Sequence, residues 1–260
     1  MRATLVIPTL DEAGSIASVL RSFRAAADAA NRTRFRDDPL DWEILVVDGD
    51  SRDGTGAIAT AEGARVIVER RRGYGRAYRT GFAEARGEVI ATADGDATYP
   101  VETIPELVRR LLDQNLDFLS GDRMAFVDRR SMTTEHRIGN WVLNEFLAIA
   151  YHRYVRELPN GTLADSQSGF WVFRRRVLDV VALTQDGMAL SEELKIEAIR
   201  WGLKFVEVPI HYGERAGPPK LQSWRDGLRN LWFLFEKRLE IARERRTTTD
   251  ALDPGPGRVG

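Results

Sequence analysis

The stretch VIATADGDATYP, residues 89–100, holds the side chains best spaced for chemistry. An apolar run ends in two carboxylates, Asp94 and Asp96, with only Gly95 between them. A β-strand that stops this way carries its acids to the C-terminal edge of a sheet, where open α/β folds bind ligands. Two chemistries suit the pair. Carboxylates at i and i+2 can hold one divalent cation, Mg2+ or Mn2+, which in turn holds a diphosphate. Alternatively, the first aspartate of a DxDxT pattern attacks a phosphate itself. A plain Asp/Gly turn would need neither, yet burying the preceding strand sets these acids beside the other strand ends.

Those other ends are also polar. A first apolar run, ATLVIP (3–8), stops in Pro8-Thr9-Leu10-Asp11-Glu12. Helix capping by Thr9 or Asp11 accounts for one acid at a gain of about 1 kcal/mol, and leaves Glu12 at the ligand edge. A second run ends in Val47-Asp48-Gly49-Asp50-Ser51. Its resemblance to a calcium loop fails, because Arg52 and Ala59 stand where oxygen donors are needed. An aspartate aimed at a nucleobase or ribose remains, beside a simple polar turn. Gly73-Tyr74-Gly75 lacks the third glycine of a dinucleotide fingerprint and follows the wrong strand. It reads as a helix entry where Gly75 lets backbone approach a ligand or a neighbouring element.

The elements that must position these residues alternate. Apolar runs at 3–8, 42–48, 64–69, 88–94 and 117–122 predict strands, with helices at 11–30, 54–63, 74–86 and 101–114 between them. This βαβ rhythm predicts an α/β fold with a mostly parallel sheet flanked by helices and a Rossmann-like N-terminal half. The second half predicts helices near 134–153, 174–184 and 190–202, a turn at DSQSGF (165–170), and a strand at 204–212 that Pro209 places at an edge or a strand end. A last helix covers 222–245, and the tail from 247 to 260 has the composition of a disordered segment.

Bulk properties set limits. The 260 residues carry a net charge of −1, which offers no global field for nucleic acid. Only Lys195, Lys204, Lys220 and Lys237 are lysines, so nearly every basic residue is arginine, as codon bias alone would give. Without cysteine there is no disulfide, thiolate nucleophile or cysteine zinc site. His136, His152 and His211 are too scattered for a metal cluster. The N-terminal apolar run is too short for a signal peptide, and no window approaches the ~20 apolar residues of a membrane span.

The order of the motifs separates the two chemistries. In haloacid-dehalogenase phosphatases the DxDx[TV] motif follows the first strand, whereas here three predicted strands precede it. PTLDEAGSI, ILVVDGDSRDGT, RGYGRAYRTGF, ADGDATYP, SGDR, DSQSGF and FVEVPIHYGERAGPPKL, in that order, resemble the family 2 inverting glycosyltransferases with the GT-A fold. The likeness is greatest to dolichol-phosphate mannose synthase and its polyprenyl-phosphate glycosyltransferase relatives. It implies a GT-A domain over 1–222, followed by an amphipathic helix over 223–246.

That resemblance implies roles. Pro8, Leu10 and Glu12 match the family's first nucleotide loop, with Val47, Asp48, Asp50 and Gly75 on the same donor side. Asp94 and Asp96, with Gly95 between them, match the acids that hold the metal and the diphosphate. Arg123 and Arg137 match arginines near the phosphates, and Asp165, Ser168 and Gly169 match the segment lining the acceptor. Arg215 and Lys220 match the basic loop that closes over the diphosphate. There are three departures from the pattern: Gly49 replaces an aspartate that contacts the base, Thr98 replaces a glutamine, and Pro218 and Pro219 stiffen the loop.

The implied reaction transfers a hexose from a UDP- or GDP-linked donor to dolichyl or polyprenyl phosphate, with Mg2+ or Mn2+ as cofactor. A phosphate acceptor, with its second pKa near ~6, needs no strong base. It needs a cationic cradle, to which Arg129 or Arg130 could add. A hydroxyl acceptor would instead require Asp165 or Glu192 as base, and a silent nucleotide-sugar sensor would require neither. Trp141, Phe146, Trp224, Leu228, Trp232 and Phe235, with Arg225, Arg229, Lys237, Arg238 and Arg243 to Arg246 flanking the last helix, suggest a protein peripheral on the cytoplasmic face of a membrane. Packing against the sheet would account for most of the same apolar residues.

Overall fold

The computed structural model describes residues 1–126, 134–158, 161–213 and 223–252; at 134–138, 140, 223–226 and 245–252 it describes the backbone alone. The strands are β1 (Arg2–Thr9), β2 (Asp41–Asp48), β3 (Arg65–Val68), β4 (Val89–Thr92), β5 (Phe118–Asp122), β6 (Trp171–Arg174) and β7 (Phe205–Pro209). The helices are α1 (Ile16–Arg32), α2 (Thr55–Ala61), α3 (Tyr74–Glu84), α4 (Ile104–Asp113), α5 (Thr134–Ala150), α6 (His152–Val155), α7 (Leu190–Arg200) and α8 (Ser223–Leu252).

The strands form one seven-stranded sheet in the order β3-β2-β1-β4-β6-β5-β7. β3, β2, β1 and β4 run parallel, as the alternating pattern predicts. β6 lies antiparallel between β4 and β5, and β7 returns parallel to β5. Pro209 ends β7 at the sheet's edge, where a missing N–H costs no ladder bond.

Alternation along β1 divides the core. Leu5 and Ile7 face a cluster with Ile16, Leu20 and Phe23 of α1 and Val108 and Leu111 of α4. Val6 faces the opposite cluster, with Tyr78 and Phe82 of α3, Trp171 of β6 and Leu190 of α7. The spacing of Ile16, Val19, Leu20, Phe23 and Ala27 gives α1 one apolar face. Each large side chain so buried contributes roughly 1.5–3 kcal/mol.

Four expectations need correction. β1 runs one residue past Pro8; β4 pairs only with Ala3 to Val6, so the proline meets no strand on that side that would require its N–H. The segment after DSQSGF is a strand, β6, because its FWVF run is buried between β4 and β5. The helix expected over 174–184 shrinks to a 3-10 turn, Arg175–Asp179. At the C-terminus, α8 takes in residues 247–252, which were expected to be disordered. Its inner face joins the core through Phe233, Leu234 and Ile241.

Candidate active site

The C-terminal ends of β1 and β2 are stitched together by side chains. Thr9 donates to Asp48 (3.2 Å), and Ser51 donates to the same carboxylate through its hydroxyl (2.5 Å) and its amide (3.2 Å). The amides of Asp11, Glu12 and Ala13 donate to Ser51, Thr55 and Asp53 at 2.8, 2.8 and 2.9 Å. Asp11 returns a contact by accepting from Arg52 N (2.9 Å). Asp11 and Asp50 hold positive φ, 51° and 63°, a strain that the stitched loops offset.

This geometry separates residues that the sequence grouped. Asp48 is buried and its carboxylate is committed to Thr9 and Ser51. Asp50 stands exposed, 4.0 Å from Arg70. The Val47 side chain lies wholly in the core beneath α3. Pro8 pairs opposite Val47, and the main chain then turns through Leu10 to Glu12 at the edge. Gly75 permits close approach, but to Gln185, Gly187 and Leu190 ahead of α7; a Cβ there would lie 2.5 Å from the Gln185 carbonyl.

The loop after β4 closes onto this edge. Ser15 donates to the Gly95 carbonyl (2.7 Å) and reaches the Glu12 carboxylate at 3.4 Å. A Cβ on Gly95 would meet Thr9 Cγ2 at 2.8 Å, so glycine is what lets the DGD turn seat against β1. Asp96 is buried, and its Oδ1 accepts from Thr98 N (3.1 Å) and Oγ1 (2.6 Å). The hydroxyl at position 98 therefore orients the second carboxylate.

Asp94 Oδ1 accepts from the phenols of Tyr74 (3.4 Å) and Tyr78 (3.3 Å). Burial first, and the Asp94 charge next, push both phenols well above their ordinary pKa, so they remain proton donors. The sequence motifs did not single out these tyrosines. Their i, i+4 spacing behind a Gly-X-Gly turn was the available signal.

Asp94 and Asp96 offer hard oxygen donors, and among the described residues no group of three or more His, Cys, Asp or Glu forms a protein-only cluster. A pair of carboxylates leaves most positions of a six-coordinate cation to phosphate oxygens and water, the way Mg2+ is usually shared between protein and nucleotide. The donor set fits a divalent metal carried with its diphosphate.

Beyond β6 the site changes character. Arg123 forks onto Asp165, Nε to Oδ2 at 2.7 Å and Nη2 to Oδ1 at 2.8 Å, and its amide adds a third bond at 3.0 Å. Its guanidinium lies 5.3 Å from the centre of the Tyr212 ring. Burial opposes the charges, but the Arg123 guanidinium brings the Asp165 carboxyl down to about 2. Lys195 of α7 donates to the Asp165 carbonyl, and burial lowers its ammonium to about 8. Glu207 of β7 accepts from the amides of Ala164 (2.6 Å) and Asp165 (3.1 Å). Glu192, wholly buried beside Gln167, is pushed by burial up to about 8 and is protonated at neutral pH. Ser168 is buried in the same segment, and Gly169 joins it to β4 through the Thr92 hydroxyl.

The side chain of Arg137, and Arg129, Arg130, Arg215, Pro218, Pro219 and Lys220 entirely, lie outside the described residues. The described structure thus brings Glu12, Asp94, Gly95 and Asp96 together on one side and Arg123 with Asp165 on the other. The aromatic cluster of Tyr78, Tyr99 and Tyr212 lies between them.

Comparison with known proteins bears on the family and the fold. A dolichyl-phosphate hexose transferase of Haloferax volcanii is 33% identical over 86% of this chain and 88% of its own length. A low-salt glycan biosynthesis hexosyltransferase of the same organism is 33% identical over 89% of this chain, which spans only about half (52%) of that relative. Among solved structures, glucosyl-3-phosphoglycerate synthase from Mycobacterium tuberculosis, crystallised with Mn2+, UDP and phosphoglyceric acid, superposes with a TM-score of 0.69. It covers 91% of this chain and 78% of its own at 22% identity, and so speaks to the fold alone, which is GT-A. The profile of glycosyl transferase family 2 matches residues 4–181, the span that carries the DGD turn, the Arg123–Asp165 pair and β6, and the chain belongs to that family.

Proposed function

We propose that the protein is an inverting, metal-dependent transferase that moves one hexose from a UDP- or GDP-linked donor to a polyprenyl phosphate. The observation that carries the choice of acceptor is the state of the two carboxyls available as bases. Asp165 is locked to Arg123 and held at about 2, and Glu192 is buried and already protonated. Asp165 is thereby a weak base and Glu192 holds its proton over most of the neutral range, so neither is suited to take one from a sugar hydroxyl. A lipid monophosphate is largely dianionic there and brings its own nucleophile. The name of the Haloferax dolichyl-phosphate hexose transferase supports the same acceptor class.

Asp94 and Asp96 would hold Mg2+ or Mn2+, which supplies charge neutralisation as the nucleotide diphosphate departs. Glu12, Leu10 and the main chain at Pro8 and Val47 line the donor edge, with Asp50 exposed for a ribose or base contact. Arg123 is assigned to the acceptor side by family position, its guanidinium held in place by Asp165. Arg137, Arg215 and Lys220 are assigned to the phosphates by family position.

The lipid tail has a surface to follow. Trp141 and Ile149 of α5 are 62% and 78% exposed, and Trp232 of α8 is 62% exposed, with Leu228 and Phe235 beside it. No described helix is long and apolar enough to cross a membrane. With Arg229 and Arg243 exposed on α8, this face suits docking on anionic lipid at the cytoplasmic surface. Lys237, expected on that rim, is instead buried 2.9 Å from Glu197.

The test is a panel of nucleotide sugars offered with a short polyprenyl phosphate and, separately, with glycan hydroxyl acceptors, products being read by mass spectrometry. A glycosyl phosphodiester is expected. A product formed only on hydroxyls would overturn the acceptor assignment. Flotation with anionic vesicles should carry the protein upward, and protein left entirely in the soluble fraction would remove the docking surface.

A further inference from the structure

Tyr78 occupies a position with an unusual demand on one proton. Its ring is buried between Phe82 and Trp171, at centroid distances of 5.6 and 5.1 Å. Its hydroxyl lies 3.3 Å from Asp94 Oδ1 on the donor side and 3.4 Å from the Gly169 carbonyl on the acceptor segment. A phenol has one proton to donate, so it can satisfy one of these oxygens fully at a time.

We propose that Tyr78 is a positioning residue that links loading of the donor's cation to seating of the acceptor segment. The inference rests on the proposed reading of Asp94 as cation ligand and of residues 165–170 as acceptor lining. When a cation draws on the Asp94 carboxylate, that oxygen becomes a poorer hydrogen-bond acceptor. The Tyr78 proton then turns to Gly169. Gly169 is the right recipient, because both of its peptide groups are already fixed from the β4 side. Its amide donates to Tyr99 OH at 2.9 Å, and its carbonyl accepts from Thr92 Oγ1 at 2.7 Å. Thr92 also accepts from Trp171 N at 2.9 Å, so the bond network leads into β6. Tyr74 is the comparison on the same helix: its hydroxyl also reaches Asp94 Oδ1, at 3.4 Å, and packs on Gly169, 2.0 Å from where a Cβ would stand, but it is not hydrogen-bonded to the Gly169 carbonyl. Filling the donor site should therefore tighten the acceptor site, and by linkage the acceptor should tighten the donor by the same factor.

Titration calorimetry on the full chain tests this, with Mn2+·UDP and farnesyl phosphate as probes, each titrated alone and with the other saturating. One redirected hydrogen bond corresponds to a mutual factor of about five. Tyr78→Phe keeps the ring contacts and should bring the factor to one while both probes still bind. Tyr74→Phe should weaken Mn2+·UDP yet keep the factor. A wild-type factor of one, or a factor that survives in Tyr78→Phe, overturns the inference while leaving the proposed function standing. Mn2+·GDP replaces Mn2+·UDP where the latter does not bind, and binding of neither would overturn that function and this inference with it. The wild-type measurement tests the linkage before any variant is made.

Discussion

The two sides of the site are built on opposite electrostatic plans. On the donor side, the β1, β2 and β4 loops are stitched by hydroxyls and amides, and these orient carboxylates without neutralising them: Thr98 on Asp96, and Tyr74 and Tyr78 on Asp94. On the acceptor side, charges are buried and answered within the protein, Arg123 by Asp165, Lys195 by the Asp165 carbonyl and Glu197 by Lys237. The difference teaches what each side costs to build. A hydroxyl bond orients a carboxylate without cancelling its charge. Buried ion pairs fix a shape, but removing one partner strands the other.

Breaking an acceptor-side pair should therefore damage the fold more than the chemistry. Asp165→Asn is expected to lose about 3–5 kcal/mol in a urea titration, because Arg123 stays buried and unanswered. Replacing both partners with apolar residues, Arg123→Met with Asp165→Leu, should recover most of that loss. In the wild type, the stability that this depressed carboxyl provides is present above its unfolded pKa near ~3.9 and is lost as pH falls toward about 2.

The donor side should invert that outcome. Asp94→Asn is expected to lower transfer about 10²–10³-fold with little change in the urea midpoint. Mn2+·UDP affinity should fall in parallel. A variant that kept full turnover would remove the metal assignment.

Glu192 sharpens the contrast through pH. Its folded pKa, about 8, is raised above the ordinary carboxyl value by burial. Between the two values the folded state holds a proton that the unfolded chain releases, so its contribution is full at low pH and declines as pH rises toward 8. Glu192→Gln should flatten the loss of stability between pH 5 and 8, an effect on the order of 1–3 kcal/mol. A wild-type profile with no decline in that window would show that the carboxyl is not held protonated.

The smallest effect on stability is expected at the outer face. Trp232→Ser with Phe235→Ser should stay within about 0.5 kcal/mol of the wild type, as exposed positions do. The same change should shift partitioning onto anionic vesicles. A large loss of stability would mean that this face packs against protein.

The donor half was legible because its strands are local signals. Each apolar run of β1, β2 and β4 ends in acids within a few residues, and parallel crossovers bring such ends to one edge. The acceptor half was not. SEELKIE has the composition of a solvated helix, yet every residue of α7 from Leu190 to Ile199 is buried. Groups outside the helix answer its charges: Thr184 and Gln185 of the preceding loop bond Glu193, and from distant segments the Asp165 carbonyl accepts from Lys195 and Lys237 pairs with Glu197. β6 was missed for a similar reason. Four residues inserted antiparallel between β4 and β5 carry no periodicity that distinguishes them from the end of a turn.

By itself, the sequence determined the family and the sheet-edge placement of Asp94 and Asp96, because these depend on short motifs at fixed offsets from apolar strands. Tertiary structure alone decided that Asp48 is an internal strut, that Arg123 is committed to Asp165, and that Tyr78 stands between the two halves. Those facts depend on which distant segments share a low-dielectric interior, where an unanswered charge or hydrogen bond is costly enough to fix every partner.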